Sequence, residues 1–505
     1  MVEGIKTSLE NLGLPNVGEI PPIPVGLGGN GCSTNRGQTI GVQALFKKEY
    51  SWCLFVWCVA HRLELALKDA LSNTYFKKVD EVLLRLYYLY ENSPKKLRGL
   101  KELHLAHKDT FQFAEGSVKP KRASGTRWIS HKLAALKLLV DKFGLFIQHL
   151  ETLSSDRSVK SSDQAKLKGY LKEWKSAKLF VYSCFFVDLL QPAAVLSQAF
   201  QGEDVDVVAV ASALSKVKKQ LNSLQGGEAC TLQTVRYYLG KVEANDEYQG
   251  VRLSNLSQAI AQLKEGSSFY VNLTNDAIEA RLGGSREIAS IAIILNCEAW
   301  NASSSSNESI DQIILHYVCH FEEPLRLQGL QGTQLEFVNE WHDMLDYTVQ
   351  YLSPSSRHYK ATWFKIFHSS RAGEWQNILI LNRVFFSLPV SNAALERMFS
   401  NLGRVKTAKR SSLSQGTLEN ILRIQAGGPP LESYDPSTAV NDWDRRKRRR
   451  TNQKPRKEYK VRRSTRTIAY DGLKQDVPEE DTSEASDDNS NCSLFRSDDE
   501  KDNIE

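Results

Sequence analysis

The chain has 505 residues, 41% of them hydrophobic, and 65 Lys and Arg against 59 Asp and Glu give it a net charge of +6. At roughly 100–200 residues per domain this length corresponds to two or three units rather than one core, and no uninterrupted apolar run reaches the ~18 residues of a membrane span. The N-terminus lacks the basic and apolar regions of a secretory leader, and the eight cysteines have neither paired spacing nor a CxxC, so a secreted disulfide scaffold, a membrane protein and an N-terminal zinc-finger or BED-type module are not expected.

In chain order, Pro21-Pro22-Ile23-Pro24 closes a linker over residues 1–24, and Val25-Gly26-Leu27 reads as a short strand running into a glycine turn around Asn30. Residues 41–50 predict a helix, 52–57 an apolar strand, and the stretch from Cys58 to Leu67 a helix with Leu63 and Leu67 one turn apart. A strand-turn-helix-strand-helix order belongs to an α/β sheet. Cys58 and His61 fall on one face of that helix. Metal ligation by this pair would need further ligands, since a closed zinc site takes four; a packed thiol and a hydrogen-bonded imidazole is the favoured alternative.

Beyond Asn73 the apolar period becomes helical. Val79, Val82, Leu83, Leu86 and Tyr90 mark one helix, Leu136, Leu139, Phe143, Phe146 and Leu150 another, with further segments at 178–200, 206–224 and 310–323. Pro192 is expected to kink the 178–200 helix, because it removes an amide donor and crowds the preceding turn. The serine-rich 302–309 tract reads as a surface loop. Around Gly125-Thr126-Arg127-Trp128, the cations Lys119, Lys121, Arg122, Arg127 and Lys132 make the neighbourhood electropositive. By residue type alone Trp128 reads as a core residue; an indole face can also stack on an unpaired base for ~1–3 kcal/mol.

Near the end, Pro389 closes one segment, and Ser391 or Asn392 is placed to cap the next helix. In Ser391-Asn392-Ala393-Ala394-Leu395-Glu396-Arg397-Met398-Phe399-Ser400, Leu395, Met398, Phe399 and the later Leu402 predict a buried stripe. Glu396 shares the polar face with Asn392, Ser400 and Gly403, where residue type alone would make it a solvated helical Glu. A basic run with Arg404, Lys406, Lys409 and Arg410 follows, then an apolar helix over 413–424 and the breaker Gly427-Gly428-Pro429-Pro430.

This decamer and its following helix resemble the C-terminal signature of hAT superfamily DNA transposases. Residues 26–71 are similar to that family's second-Asp and CxxH blocks, and 125–130 to its Thr-Arg-Trp motif; the resemblance spans about 25–140 and 385–426. It implies an RNase H-like α/β core, N-terminally truncated and interrupted by a large all-α insertion, in a chain that is mostly helical. The corresponding units are a partial RNase H-like segment at 25–72, the helical insertion at 73–385, and a catalytic-helix and dimerisation region at 386–428. Glu396 takes the place of the third metal-binding carboxylate. Asn30 stands where the family has its second Asp, and the first Asp is expected upstream of Met1 or lost. The resemblance further makes Cys58 and His61 supports of the catalytic centre, Arg127 and Trp128 DNA contacts together with Arg404, Lys406, Lys409 and Arg410, and Leu418, Ile421 and Leu422 dimer contacts.

The last segment, 429–505, splits by charge. Residues 444–466 hold thirteen Lys and Arg against two acidic residues, net +11, and 471–505 hold thirteen acidic against three basic, net −10. Both blocks are poor in apolar residues and are expected to be disordered. Arg445, Arg446, Lys447, Arg448, Arg449 and Arg450 form a nuclear-localisation and nucleic-acid motif. A two-metal phosphoryl-transfer site needs several anionic oxygens, so Asn30 points to lost catalysis and to no cofactor. The favoured reading is a transposase-derived nuclear protein, not an enzyme, that pairs with itself, associates with DNA and engages a nuclear import receptor, with no membrane partner. The alternatives are an active Mg²⁺-dependent transposase or nuclease, and a scaffold that does not bind DNA.

Overall fold

The computed structural model describes residues 24–446 apart from 112, 114–115, 126, 203–204, 225–231, 284–285, 301–306, 328–329, 331, 352–357, 408–409 and 430. Residues up to Gly428 form one unit and those from Pro429 another.

Strand β1 (Gly26–Gly29) is followed by the short helices α1 (Ser33–Arg36) and α2 (Val42–Lys47), and β2 (Leu54–Trp57) then returns parallel to it, with Gly26 opposite Leu54 and Gly29 opposite Trp57. Parallel pairing requires a crossover of about this length. The glycines of β1 are there for close approach. A Cβ on Gly26 would lie 2.8 Å from Leu388 Cδ2, and one on Gly28 would lie 3.0 Å from both Pro389 O and Asn392 Oδ1. The chain segment that leads into the C-terminal signature therefore runs directly along the strand.

Helices α3 (Val59–Ser72), α4 (Tyr75–Glu91), α5 (Pro94–Phe111), α6 (Trp128–Asp141), α7 (Phe143–Ser155) and α8 (Ser161–Trp174) lead to α9 (Ala177–Phe200). This last helix is buried on almost every face and is packed by α3, α4 and α6. A helix that is apolar all round belongs in the centre of a bundle. It has the length and composition of a membrane span, which no uninterrupted apolar run in the sequence had indicated, and 78% of its most apolar window is buried in this core. The helix runs as one element through Pro192. Further packing on α9 comes from α10 (Val207–Ser223), α11 (Gln233–Leu239) and α12 (Leu256–Ile278). Asp206 caps α10 by accepting from Ala209 N at 2.9 Å, and Asp188 of α9 accepts from Thr234 N and Val235 N at the start of α11.

The stretch expected to be all-α contains a small antiparallel hairpin, β3 (Glu247–Tyr248) and β4 (Val251–Arg252). Its two loop residues, Gln249 (φ 52°) and Gly250 (φ 73°), both sit in left-handed conformations, as a two-residue I′ turn requires. Gln249 is held in that state by bonds to Asp141 O at 2.7 Å and from Gly144 N at 2.9 Å. Tertiary tethers thus replace the usual Asn-Gly signal.

A π-helical turn (Glu279–Gly283) ends α12, and α13 (Arg286–Leu295), α14 (Asn307–His320), α15 (Glu322–Leu327) and α16 (Gln334–Tyr351) follow. The loop expected at 302–309 falls outside the described residues up to 306 and enters α14 at Asn307. Next come α17 (Tyr359–Phe367) and α18 (Gln376–Phe386), the first anchored by Trp363 Nε1 donating to Leu295 O at 2.8 Å. The body ends with α19 (Ala393–Val405) and α20 (Gln415–Gly427). In the second unit α21 (Ser437–Arg446) is helical, with Asp435 Oδ1 accepting from Ser437 N at its start. The disorder expected for 429–505 is therefore corrected over 437–446; the remainder from 447, including Lys447, Arg448, Arg449 and Arg450, lies outside the described residues. A sheet of two parallel strands in a helical body is less than the RNase H-like core expected.

Candidate functional site

Three element ends converge at the C-terminal edge of β1. Cys58, at the N-cap position of α3, donates its amide to Gly29 O at 2.9 Å, and Val59 N donates to Val390 O at 3.2 Å. Asn392, at the N-cap position of α19, donates its amide to Cys58 Sγ at 3.4 Å across 334 residues of sequence. The cap is supplied one residue earlier than its position suggests: Ser391 Oγ accepts from Ala393 N at 3.2 Å and donates to Phe200 O at 2.6 Å. Arg397 then donates to Gln201 O at 2.7 Å. The central helix α9 thus buttresses the start of the signature helix, which the sequence spacing does not reveal.

Onto this corner the sequence candidates project as follows. Asn30 is exposed just past β1, its side-chain oxygen accepting from Asn35 Nδ2 at 2.5 Å. Cys58 is buried, a packed thiol bonded to backbone. His61 is half-buried in the first turn of α3; burial holds its imidazole below the usual value, Glu396 opposes that, and Arg281 adds to it. Glu396 is exposed in the first turn of α19, where a carboxylate also complements the helix dipole.

Glu64, one turn beyond His61, is by sequence a carboxylate that, like Glu49 and Asp69, could in principle substitute in a metal site but falls on a helix after it; its buried bridging role has no motif. It is buried, Oε2 accepts from Ile129 N at 2.8 Å, and Oε1 accepts from Ser197 Oγ at 3.0 Å. Burial raises its carboxyl, the two hydrogen bonds counter that, Glu396 adds to the rise and Arg127 lowers it. The signal was present: Glu64 lies on the apolar face of α3, between Ala60 and Leu67, where a charge is out of place. It links α3, α6 and α9 and lies within electrostatic reach of both Glu396 and Arg127.

Arg127 is exposed at the N-cap position of α6. Trp128 is half-buried, its ring 5.7 Å from that of Phe76 and packed on the core. The electropositive neighbourhood is smaller than its composition: Lys119 pairs with Glu91 at 2.8 Å, and Lys132 is buried in an ion pair with Asp80. Lys121 and Arg122 remain exposed, and Thr126 lies outside the described residues. Arg404, Lys406 and Arg410 are exposed, and Lys409 lies outside the described residues. Arg445 is exposed on α21, and Arg446 ends that helix.

The stripe predicted to be buried on α19 is corrected. Leu395 is 52% exposed and Phe399 70%, with Met398 and Leu402 half-buried. The helix meets the body through Ala393 and Arg397 instead. Leu418 of α20 is buried, Ile421 and Leu422 are half-buried, and Ile424 is 70% exposed. The pair α19 and α20 thus leaves an apolar face uncovered.

Residues 361–426 match the hAT family C-terminal dimerisation region. The chain therefore carries this region, which supports descent from a hAT-family transposase and self-association. The matched range begins within α17 and takes in α18, α19 and most of α20.

Proposed function

We propose that this is a transposase-derived protein that pairs with itself, associates with DNA in the nucleus and does not cut it. The observation that supports the reading is the convergence of β1, α3 and α19: the neutral amide Asn30 directly follows β1, and Glu396 lies in the first turn of α19, whose N-cap residue approaches β1 at Gly28 and α3 at Cys58. A carboxylate can bridge two divalent cations that an amide oxygen cannot. Glu64 is a carboxylate within electrostatic reach of Glu396. It is committed to the Ile129 amide and the Ser197 hydroxyl, in a position where ionisation is costly.

The arrangement keeps what binding needs: exposed Arg404, Lys406 and Arg410 on the signature region, and an uncovered apolar face for a second copy. Nuclear entry follows from the basic motif at 445–450. Incubating the full chain with duplex DNA and Mg²⁺ or Mn²⁺ is expected to give no nicks, hairpins or joined strands, while the duplex shifts in a salt-dependent manner. Cleavage that vanishes in Glu396→Gln would support the active-transposase reading instead. Absence of any salt-dependent shift would leave the scaffold reading.

A further inference from the structure

A cavity of about 680 Å³ opens between α10 and α13, within the roughly 300–1,000 Å³ that small-molecule sites occupy. Its floor is apolar. Val208 of α10, Ala292 of α13, Trp300, Ile310 of α14 and Leu345 of α16 line it, and each is more than nine-tenths buried. The Trp300 ring is fixed, since it lies edge-on to Trp341 and Trp363 at 5.1 and 5.5 Å and its Nε1 donates to Ile294 O at 3.1 Å. The hollow is therefore preformed.

Polar groups gather at one margin of it. Lys216 and Lys219 share a face of α10, one turn apart, with Ser212 and Ser215 beside them on the lining, and all four are exposed. Lys218 is paired with Glu279, whereas neither Lys216 nor Lys219 forms an ion pair among the described residues. A second cavity of about 400 Å³ shares Val208, Ser212, Lys216 and Asn296 with the first, and of the two it alone has a carboxylate, Glu298, on its wall. An anion is thus favoured in the first.

We infer that the larger cavity binds a long-chain fatty carboxylate, its alkyl chain on the floor of Val208, Ala292, Trp300 and Leu345 and its head between Lys216 and Lys219. An alkyl chain gains in proportion to the apolar area it removes from water. The head stays at the wet margin, where two ammonium groups donate to its oxygens and no charge is buried alone. A neutral alcohol of equal length forgoes those bonds, and an alkylammonium meets like charge. The site is independent of DNA association and of self-pairing.

The test is isothermal titration of the full chain with decanoate and dodecanoate, below their micelle-forming concentrations. Saturable binding is expected, roughly fourfold tighter for each added methylene. Decanol and decylammonium are expected to bind about tenfold more weakly than decanoate, or less tightly still. Lys216→Gln with Lys219→Gln should weaken decanoate about tenfold and leave decanol unchanged. Ser212→Phe, at an exposed position, places a ring in the hollow and should abolish saturable binding, with an unshifted thermal midpoint reporting that the variant is folded. Absence of saturable binding by the parent, equal affinity for the three head groups, or decanoate affinity unchanged in both variants overturns the site.

Discussion

The helix α9 and the helix pair α19–α20 are both rich in apolar residues, and the body treats them in opposite ways. Along α9, Phe180, Cys184, Phe185, Phe186, Leu189 and Leu190 are fully buried and ringed by other helices. Along α19, Leu395 and Phe399 face outward. The same side-chain chemistry therefore serves two ends: apolar surface removed from water within one copy stabilises that copy, at about 25 cal/mol per Å², while apolar surface left outside is available to a second copy. The sequence period is helical in both. What separates them is whether the rest of the chain supplies a cover.

The largest effect should come from breaking the covered side. Phe186→Ala, deep in α9, is expected to cost about 3–5 kcal/mol, read as a lowered midpoint in denaturant unfolding. A loss under about 1 kcal/mol would mean that α9 is not the core.

Acid should strain the same interior next. His149 is buried with its Nδ1 2.7 Å from the Tyr90 hydroxyl, and burial lowers its imidazole to about 4. Its folded value lies below the unfolded value of about 6.5. The stability it contributes is therefore complete above about 6.5 and is lost as pH falls toward 4, by roughly 3 kcal/mol. A pH series of chemical denaturation should show this fall, and His149→Asn should flatten it; an unaltered slope would remove His149 as the cause.

Glu64 sharpens the comparison at the junction of the two regions. Glu64→Leu removes the acceptor of the Ile129 amide and of the Ser197 hydroxyl proton, while Gln201 Nε2 still donates to Ser197 Oγ, and should cost about 1–3 kcal/mol. Because burial raises this carboxyl, the penalty of its ionisation grows as pH rises through the raised value, so Glu64→Gln should lose less in alkaline than in acidic buffer. The reverse order would refute the assigned cause.

The uncovered side should respond least in stability and most in assembly. Leu395→Asp with Phe399→Asp is expected to change folding by no more than about 0.5 kcal/mol, yet light scattering of the full chain should show a dimer or larger species in the parent and a monomer in the variant. Equal mass for both, or a strictly monomeric parent at micromolar concentration, would detach the exposed stripe from association.

Read alone, the sequence determined the local elements wherever a periodic pattern and a stop signal coincide. Asp206 before the valine-rich run fixed the start of α10, and the apolar run before Cys58 fixed β2. It also supplied the signature decamer, matched within 361–426, and the neutral Asn30. Only the tertiary structure decided which faces are covered. It exposed the Leu395 and Phe399 stripe, buried Lys132 against Asp80, and allowed the β3–β4 hairpin to form on tethers from Gln249. It alone joined Cys58 to Asn392 across 334 residues and set Arg281 over α3. The physical reason is that periodicity and capping are governed by neighbours within a turn or two of the chain. Burial, ion pairing and the meeting of helix ends depend on groups whose sequence separation carries no local signal.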